Sequence, residues 1–243
     1  MTDTILETRG LTAGYVPDLP ILRDVAIRAA RGRITVVIGP NGAGKSTLIK
    51  AIAGLVPVSA GTVTLEGREI TGLRPDRMAA QGIAYVPQTD NIFRTLTIRQ
   101  NLELALRRAG PGASGRLAAL LDRFPALAPK LGDKAGTLSG GQRQFLAVAM
   151  ALAADPRLIL MDEPSAGLSP RATREVLEMA QALAAQGVTI LLVEQNVKAA
   201  LGIADHCYIL AEGRNQVDGP ARALLDDPVV GEIYLGGRRA ETA

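Results

Sequence analysis

The spacing of apolar positions changes several times along the chain. Residues 1–30 alternate apolar and polar side chains between turn signals at Gly10, Gly14 and Pro17-Asp18, which predicts antiparallel strands. Unbroken apolar runs at 34–38, 83–87, 158–161 and 189–193 predict short buried strands. From about 89 to 155 leucines recur at helical spacing, which predicts an inserted helical lobe. Strands that alternate with helices predict an α/β core with a parallel sheet.

Composition narrows the class of protein. The 243 residues are 47% hydrophobic but only 3% aromatic, so aliphatic side chains and alanine must build the core. No apolar run approaches the roughly 18–20 residues of a membrane span, and the first residues lack the features of a secretory signal. The single cysteine, Cys207, is expected to be a buried thiol in a reducing, cytosolic compartment. The net charge is +3 without a basic, aromatic-interleaved stretch, so we expect no nucleic-acid partner.

One octet predicts a phosphate-binding loop. It reads G-x-x-x-x-G-K-S between a predicted strand and a predicted helix, the context that such a loop requires. Its glycines let backbone N–H groups turn toward an anion, and the helix N-terminus adds its dipole. The alternative is a glycine-rich turn with a chance lysine. The residues expected to contact nucleotide are Gly39, Pro40, Asn41, Gly42, Ala43, Gly44, Lys45, Ser46 and Thr47.

Two acids follow the apolar run at 158–161. Side chains at the carboxyl end of a parallel strand project into the ligand crevice, so Asp162 and Glu163 are expected there. Asp162 can hold Mg²⁺ with the Ser46 hydroxyl, and Glu163 can orient or deprotonate a water aimed at the γ-phosphate of ATP. The alternative is that both acids only cap the next turn.

A second anion site is predicted at Ser139, Gly140, Gly141 and Gln142. Ser139 is a good helix N-cap, and the glycines expose backbone N–H groups at the start of a predicted helix. One chain with a glycine loop and a separate anion site suggests pairing. Two copies arranged head to tail could each close the other's nucleotide pocket.

Together these motifs resemble the ATP-binding subunits of ABC transporters. Residues 39–46 are similar to their Walker A motif, 138–142 to their signature and 158–163 to their Walker B motif, and the resemblance runs from about residue 5 to 236. It implies a single P-loop NTPase domain with a mixed sheet, an N-terminal antiparallel β subdomain and the inserted helical lobe. Residues 237–243 would be a C-terminal tail.

The resemblance also implies roles and partners. Tyr15 would stack on adenine, Gln88 would join Mg²⁺ and the transmembrane partner, and Lys45 and Glu163 would act in catalysis. The patterns at 70–73, 82–87, 191–196 and 234–237 are similar to the branched-chain (hydrophobic) amino-acid importer ATPases of the LivF type. The expected partners are a second ATPase subunit, membrane permeases and, indirectly, a periplasmic binding protein. The expected location is the cytoplasmic face of the inner membrane, as a peripheral subunit.

The chain departs from the family pattern at two positions. Gln195 stands where a switch histidine is usual, and we expect it to be a neutral catalytic positioning group unless it only packs at the strand end. His206, the only histidine, is expected to be structural. Ser169 stands where an aspartate usually ends the D-loop. Alternative functions are a urea or amide importer, a lipid or lipopolysaccharide exporter, or a soluble ABC ATPase.

Overall fold

The chain forms two sheets. The computed structural model describes residues 3–107, 113–225 and 227–235. The strands of the first sheet are β1 (Thr4–Ala13), β2 (Leu22–Ala30), β4 (Val58–Leu65) and β5 (Arg68–Glu69). They are antiparallel in the order β2-β1-β4-β5. The predicted N-terminal antiparallel strands are therefore confirmed.

The second sheet has six strands and is mixed. Its strands are β3 (Ile34–Ile38), β6 (Ile83–Val86), β7 (Leu158–Asp162), β8 (Thr189–Val193), β9 (His206–Ala211) and β10 (Arg214–Pro220). Their order is β10-β9-β3-β8-β7-β6. Only β10 runs antiparallel to its neighbour, and the other five strands are parallel. Five parallel strands place five carboxyl ends at one edge, where a ligand crevice is expected.

Helices cover both sheets. They are α1 (Lys45–Ile52), α2 (Pro75–Ala80), α3 (Ile98–Leu106), α4 (Ala113–Arg123), α5 (Gly140–Leu152), α6 (Pro170–Ala185), α7 (Val197–Ile203), α8 (Ala221–Leu224) and α9 (Pro228–Leu235). Helices α3 to α5 lie between β6 and β7, where the leucine spacing predicts helices. Among the described residues, no helix is both long enough and apolar enough to cross a membrane.

The central strands are buried on both faces, which explains their unbroken apolar runs. On β7, Ile159 and Met161 pack into a cluster with α3 to α8, whereas Leu158 and Leu160 pack into a second cluster with α1 and the antiparallel sheet. The same alternation holds on β3 and β8. Strands held on both sides present their end residues rigidly at the sheet edge.

One predicted turn near the N-terminus is wrong, and another is confirmed. Gly10 was predicted as a turn, but it lies inside β1 with φ of 60° at a register shift between Thr8 and Leu11, so it is a β-bulge. The turn at Pro17-Asp18 is confirmed, because Val16 and Leu19 pair across it. The tail at 237–243 lies outside the described residues, and the domain extent of 5–236 stays a prediction.

Candidate nucleotide site

The glycine loop joins β3 to α1 and passes close to neighbouring backbone. A Cβ added to Gly39 would overlap the carbonyl oxygen of Leu210 on β9, so only glycine fits there. Gly44 has φ of 97° and is the N-cap of α1, where it supplies no side-chain cap. Among the described residues, no side chain caps α1, which leaves the N–H groups of its first turn available to an anion.

Lys45 lies inside this loop. Its side chain is buried, and its Nζ donates to the carbonyl oxygens of Gly39 at 2.8 Å and Pro40 at 3.1 Å. Burial lowers the pKa of Lys45, while the carboxylates of Glu163 and Asp162 act to raise it. The ammonium group is thus held by neutral carbonyls between the loop and the acids.

Asp162 is held at the end of β7 by two hydroxyl groups. Ser46 Oγ donates to Asp162 Oδ1 at 2.9 Å, and Tyr85 Oη donates to Asp162 Oδ2 at 3.2 Å. Burial, followed by the nearby Asp162 charge, raises the pKa of Tyr85 above its ordinary range, so its hydroxyl stays protonated. Tyr85 was not predicted as a site residue, although it lies on β6, directly beside β7.

The carboxylate of Glu163 accepts hydrogen bonds from two side-chain amides. Gln88 Nε2 donates to its Oε2 at 2.9 Å, and Gln195 Nε2 donates to the same oxygen at 2.7 Å. The three residues come from the ends of β6, β7 and β8, which are neighbours in the sheet. Glu163 is buried and has φ of 47°, a strained backbone conformation for a residue with a side chain. Three segments far apart in sequence therefore meet at one carboxylate.

The oxygens of Ser46 and Asp162 fit a magnesium ion. Mg²⁺ prefers hard oxygen ligands and takes few from the protein when phosphates supply the rest. The two side chains point at each other across 2.9 Å. No group of three or more His, Cys, Asp or Glu side chains suited to a metal occurs among the described residues. Gln88, the third predicted ligand, donates its Nε2 to Glu163, and its role as a metal ligand through Oε1 stays a prediction.

The predicted residues do not all line one hollow. A hollow of about 360 Å³ is lined by Ile21, residues 41–47, Gln88, Glu163 and Gln195. Tyr15 is half exposed and lines a neighbouring hollow with Pro17 and Pro57. Residues 139–142 lie at the start of α5 and do not line the loop hollow.

The predicted N-cap of α5 is confirmed. Ser139 Oγ accepts a hydrogen bond from the N–H of Gln142 at 3.3 Å, and Gln142 Oε1 accepts one from the N–H of Ser139 at 3.2 Å. Ser139 is exposed. This reciprocal pair fixes the first turn of α5 at the protein surface, where a second molecule can reach it.

Three further residues lie outside the loop hollow. Cys207 is fully buried, as predicted, and burial raises its pKa to about 12. His206 begins β9, at the amino end of a parallel strand, with Nε2 at 3.2 Å from Asp218 Oδ2. It therefore lies at the opposite end of the sheet from Glu163. Ser169 caps α6, because its Oγ accepts from the N–H of Ala172.

Glu194 is a buried acid that the sequence interpretation missed. It is 1% exposed and accepts hydrogen bonds from Ser165 and from the N–H of Gln195. The available signal was its position, since it directly follows an apolar strand, as Glu163 does.

Known proteins place this arrangement in a family. The family model described as "ABC transporter" matches residues 22–166, so the chain belongs to the ABC transporter family. A probable branched-chain amino acid transport ATP-binding protein, LivF of Archaeoglobus fulgidus, is 44% identical over 96% of this chain and 99% of its own. The high-affinity branched-chain amino acid transport ATP-binding protein BraG of Pseudomonas aeruginosa is 38% identical over 92% of this chain and 96% of its own.

A solved structure gives the same result for the fold. The ADP conformation of an ATP-binding cassette of an ABC transporter superposes with a TM-score of 0.86 at 31% identity. The match covers 97% of this chain and 100% of that one. The predicted fold class, a P-loop ABC ATPase core with a mixed sheet, is confirmed.

Proposed function

We propose that this chain hydrolyses ATP and thereby powers an ABC importer of branched-chain and other hydrophobic amino acids. The observation that carries the hydrolase part is the carboxylate of Glu163, buried beside the glycine loop with two amides on Oε2. No hydrogen bond to Glu163 Oε1 occurs among the described residues, so this oxygen can accept from an attacking water. The transport part rests on the relatives named LivF and BraG.

The side chains divide the work of phosphoryl transfer. The loop N–H groups and Lys45 would bind the phosphates of ATP. Ser46 and Asp162 would hold Mg²⁺, which would supply positive charge to stabilise the phosphate oxygens. Glu163 orients the water and accepts its proton. Gln195 donates a neutral hydrogen bond and cannot itself change protonation near pH 7.

The signature residues support a partner cassette. Ser139 is exposed at the start of α5 and lies outside the loop hollow, so it is open to contact by a second chain. In a head-to-tail pair, it would meet the γ-phosphate held by the opposite loop. The partner is a second copy or a second, related ATPase subunit, and Tyr15 would stack on the adenine within its own chain.

An apolar groove supports a permease partner. The groove has a volume of about 530 Å³ between α2, β6, α3 and α5, and the exposed side chains of Leu55, Phe93 and Leu104 line it. Exposed apolar patches of this kind mark protein contacts. Pro87, next to Gln88, also lines it, which gives a short path from Glu163 to a bound permease segment. The chain would then work at the cytoplasmic face of the membrane.

Reconstitution tests this function. The chain is assembled in lipid vesicles with permeases and a second cassette of the branched-chain amino-acid importer type, and a binding protein is supplied on the opposite side. We expect ATP-dependent uptake of leucine with wild type and none with Glu163→Gln. Uptake of urea but not leucine would favour the amide-importer alternative. ATP hydrolysis without uptake of either would remove the importer assignment and leave the ATPase assignment standing.

A further inference from the structure

The carboxylate of Glu194 joins the two segments that carry Glu163 and Gln195. Its Oε1 accepts the N–H of Ser165 at 3.0 Å, and its Oε2 accepts the Ser165 hydroxyl at 2.8 Å. The same Oε2 accepts the N–H of Gln195 at 3.2 Å. Ser165 lies two residues after Glu163, inside a turn closed by the Ala166 N–H on the Glu163 carbonyl.

These bonds complete a ring. From Glu163 the backbone leads to Ser165, the hydrogen bonds lead to Glu194, and the backbone leads on to Gln195. The 2.7 Å bond from Gln195 Nε2 to Glu163 Oε2 then closes the ring. Glu163 and Gln195 are thus linked twice, once directly and once through Glu194. A contact linked twice has fewer ways to open than one made by two free side chains.

We propose that Glu194 is a positioning residue for ATP hydrolysis, which acts by holding the amide of Gln195 on the carboxylate of Glu163. This proposal rests on the proposed function of the site as an ATPase. Glu194 is not among the residues that line the loop hollow, and it accepts hydrogen bonds from Ser165 and Gln195. Its charge also acts to raise the pKa of Lys45, and an effect through Lys45 would persist without the Gln195 side chain.

If Glu194 only stabilised the fold, its side chain would need good packing and hydrogen bonds but no particular relation to Glu163 and Gln195. Three observations point further. Glu194 lies directly before Gln195 in the chain. Its partner Ser165 lies two positions after Glu163. The hydrogen bonds that Glu194 accepts come from the chain segments that carry Glu163 and Gln195. Burial raises the pKa of Glu194, and the hydrogen bonds from Ser165, Gln195 and Asn196 oppose that rise.

The isosteric variant Glu194→Gln breaks this arrangement without changing its volume. A backbone N–H faces each carboxylate oxygen, from Ser165 on Oε1 and from Gln195 on Oε2. Whichever position the new NH₂ group takes, it opposes an N–H that needs an acceptor. The variant therefore loosens one side of the ring in either orientation.

A double-mutant cycle tests the proposal in the assembled transporter with the partner site disabled. We expect Glu194→Gln to slow single-turnover ATP hydrolysis about tenfold while changing the ATP dissociation constant less than about twofold. In a Gln195→Ala background, the same substitution should slow hydrolysis less than about twofold, because the contact that it positions is already gone. Ser165→Ala removes one donor and should give a smaller loss that also vanishes in that background.

Several results would overturn the proposal. Equal losses with and without Gln195 would mean a structural role, and an unchanged rate in folded Glu194→Gln or in Gln195→Ala would refute it directly. If Glu194→Gln does not fold, the Ser165→Ala cycle decides by the same comparison. The proposed function fails separately, through a wild-type complex without ATPase activity or a Glu163→Gln complex with wild-type turnover.

Discussion

Removal of the Gln195 side chain directly tests whether this residue helps Glu163 to act on the attacking water. Gln195→Ala deletes the 2.7 Å hydrogen bond to Glu163 Oε2 and leaves the backbone of β8 unchanged. A hydrogen bond to a charged acceptor contributes roughly 1.5–3 kcal/mol. Gln88 donates to the same oxygen at 2.9 Å, so Oε2 keeps one partner and the loss falls to about 1.4 kcal/mol. Because the amide also fixes the orientation of the carboxylate toward the water, a positioning loss of that size slows hydrolysis about tenfold.

Rapid-quench, single-turnover hydrolysis in a complex whose partner site is disabled measures this step alone. Gln181→Ala is the matched control, because Gln181 is exposed on α6, and it should leave the rate unchanged. Gln195→His should stay active, since an imidazole can also donate, and its rate should depend on pH near 6–7. A Gln195→Ala rate equal to wild type would refute the reasoning and leave Gln195 as a residue that only packs at the strand end.

Three further predictions concern the loop, the signature and the thiol. Glu163→Gln should retain ATP binding and lose turnover, whereas Lys45→Ala should weaken both. Equilibrium ATP binding and steady-state turnover of both variants measure this difference. An equal loss of ATP binding in the two variants would contradict it. Ser139→Arg should impair hydrolysis at the partner's Walker A site and leave ATP binding by the isolated chain intact; lost binding in a folded variant would refute action in trans. Cys207, whose pKa burial raises to about 12, should react with a thiol reagent at pH 8 only after denaturant unfolds the chain; rapid labelling of native protein would contradict its burial.

The parts of the site that the sequence predicts are contiguous in the chain. The glycine loop follows a strand and opens a helix, so residues 39–47 could be assigned from local pattern alone. Asp162 and Glu163 end an apolar run, and their place at the sheet edge follows from parallel topology. The N-cap at Ser139 is likewise a local property of the four residues from Ser139 to Gln142.

The parts that were missed depend on which strands become neighbours. Tyr85 reaches Asp162 because β6 lies next to β7, although the two residues are 77 positions apart. Glu194 reaches Ser165 across 29 positions for the same reason on β8 and β7. Strand order in the sheet is set by the packing of the whole core. Periodicity along one segment therefore predicts a strand without predicting its partner.

The hydrogen bonds of the site keep opposite charges apart. Two hydroxyls hold Asp162, two amides hold Glu163, and carbonyl oxygens hold the ammonium of Lys45. A direct ion pair between Lys45 and either acid would satisfy both charges and lower the basicity of the carboxylate. Neutral hydrogen-bond partners orient each charged group without neutralising its charge. In the proposed function, the ammonium would bind a phosphate, Asp162 would hold a metal and Glu163 would accept a proton from water, as hydrolysis of ATP requires.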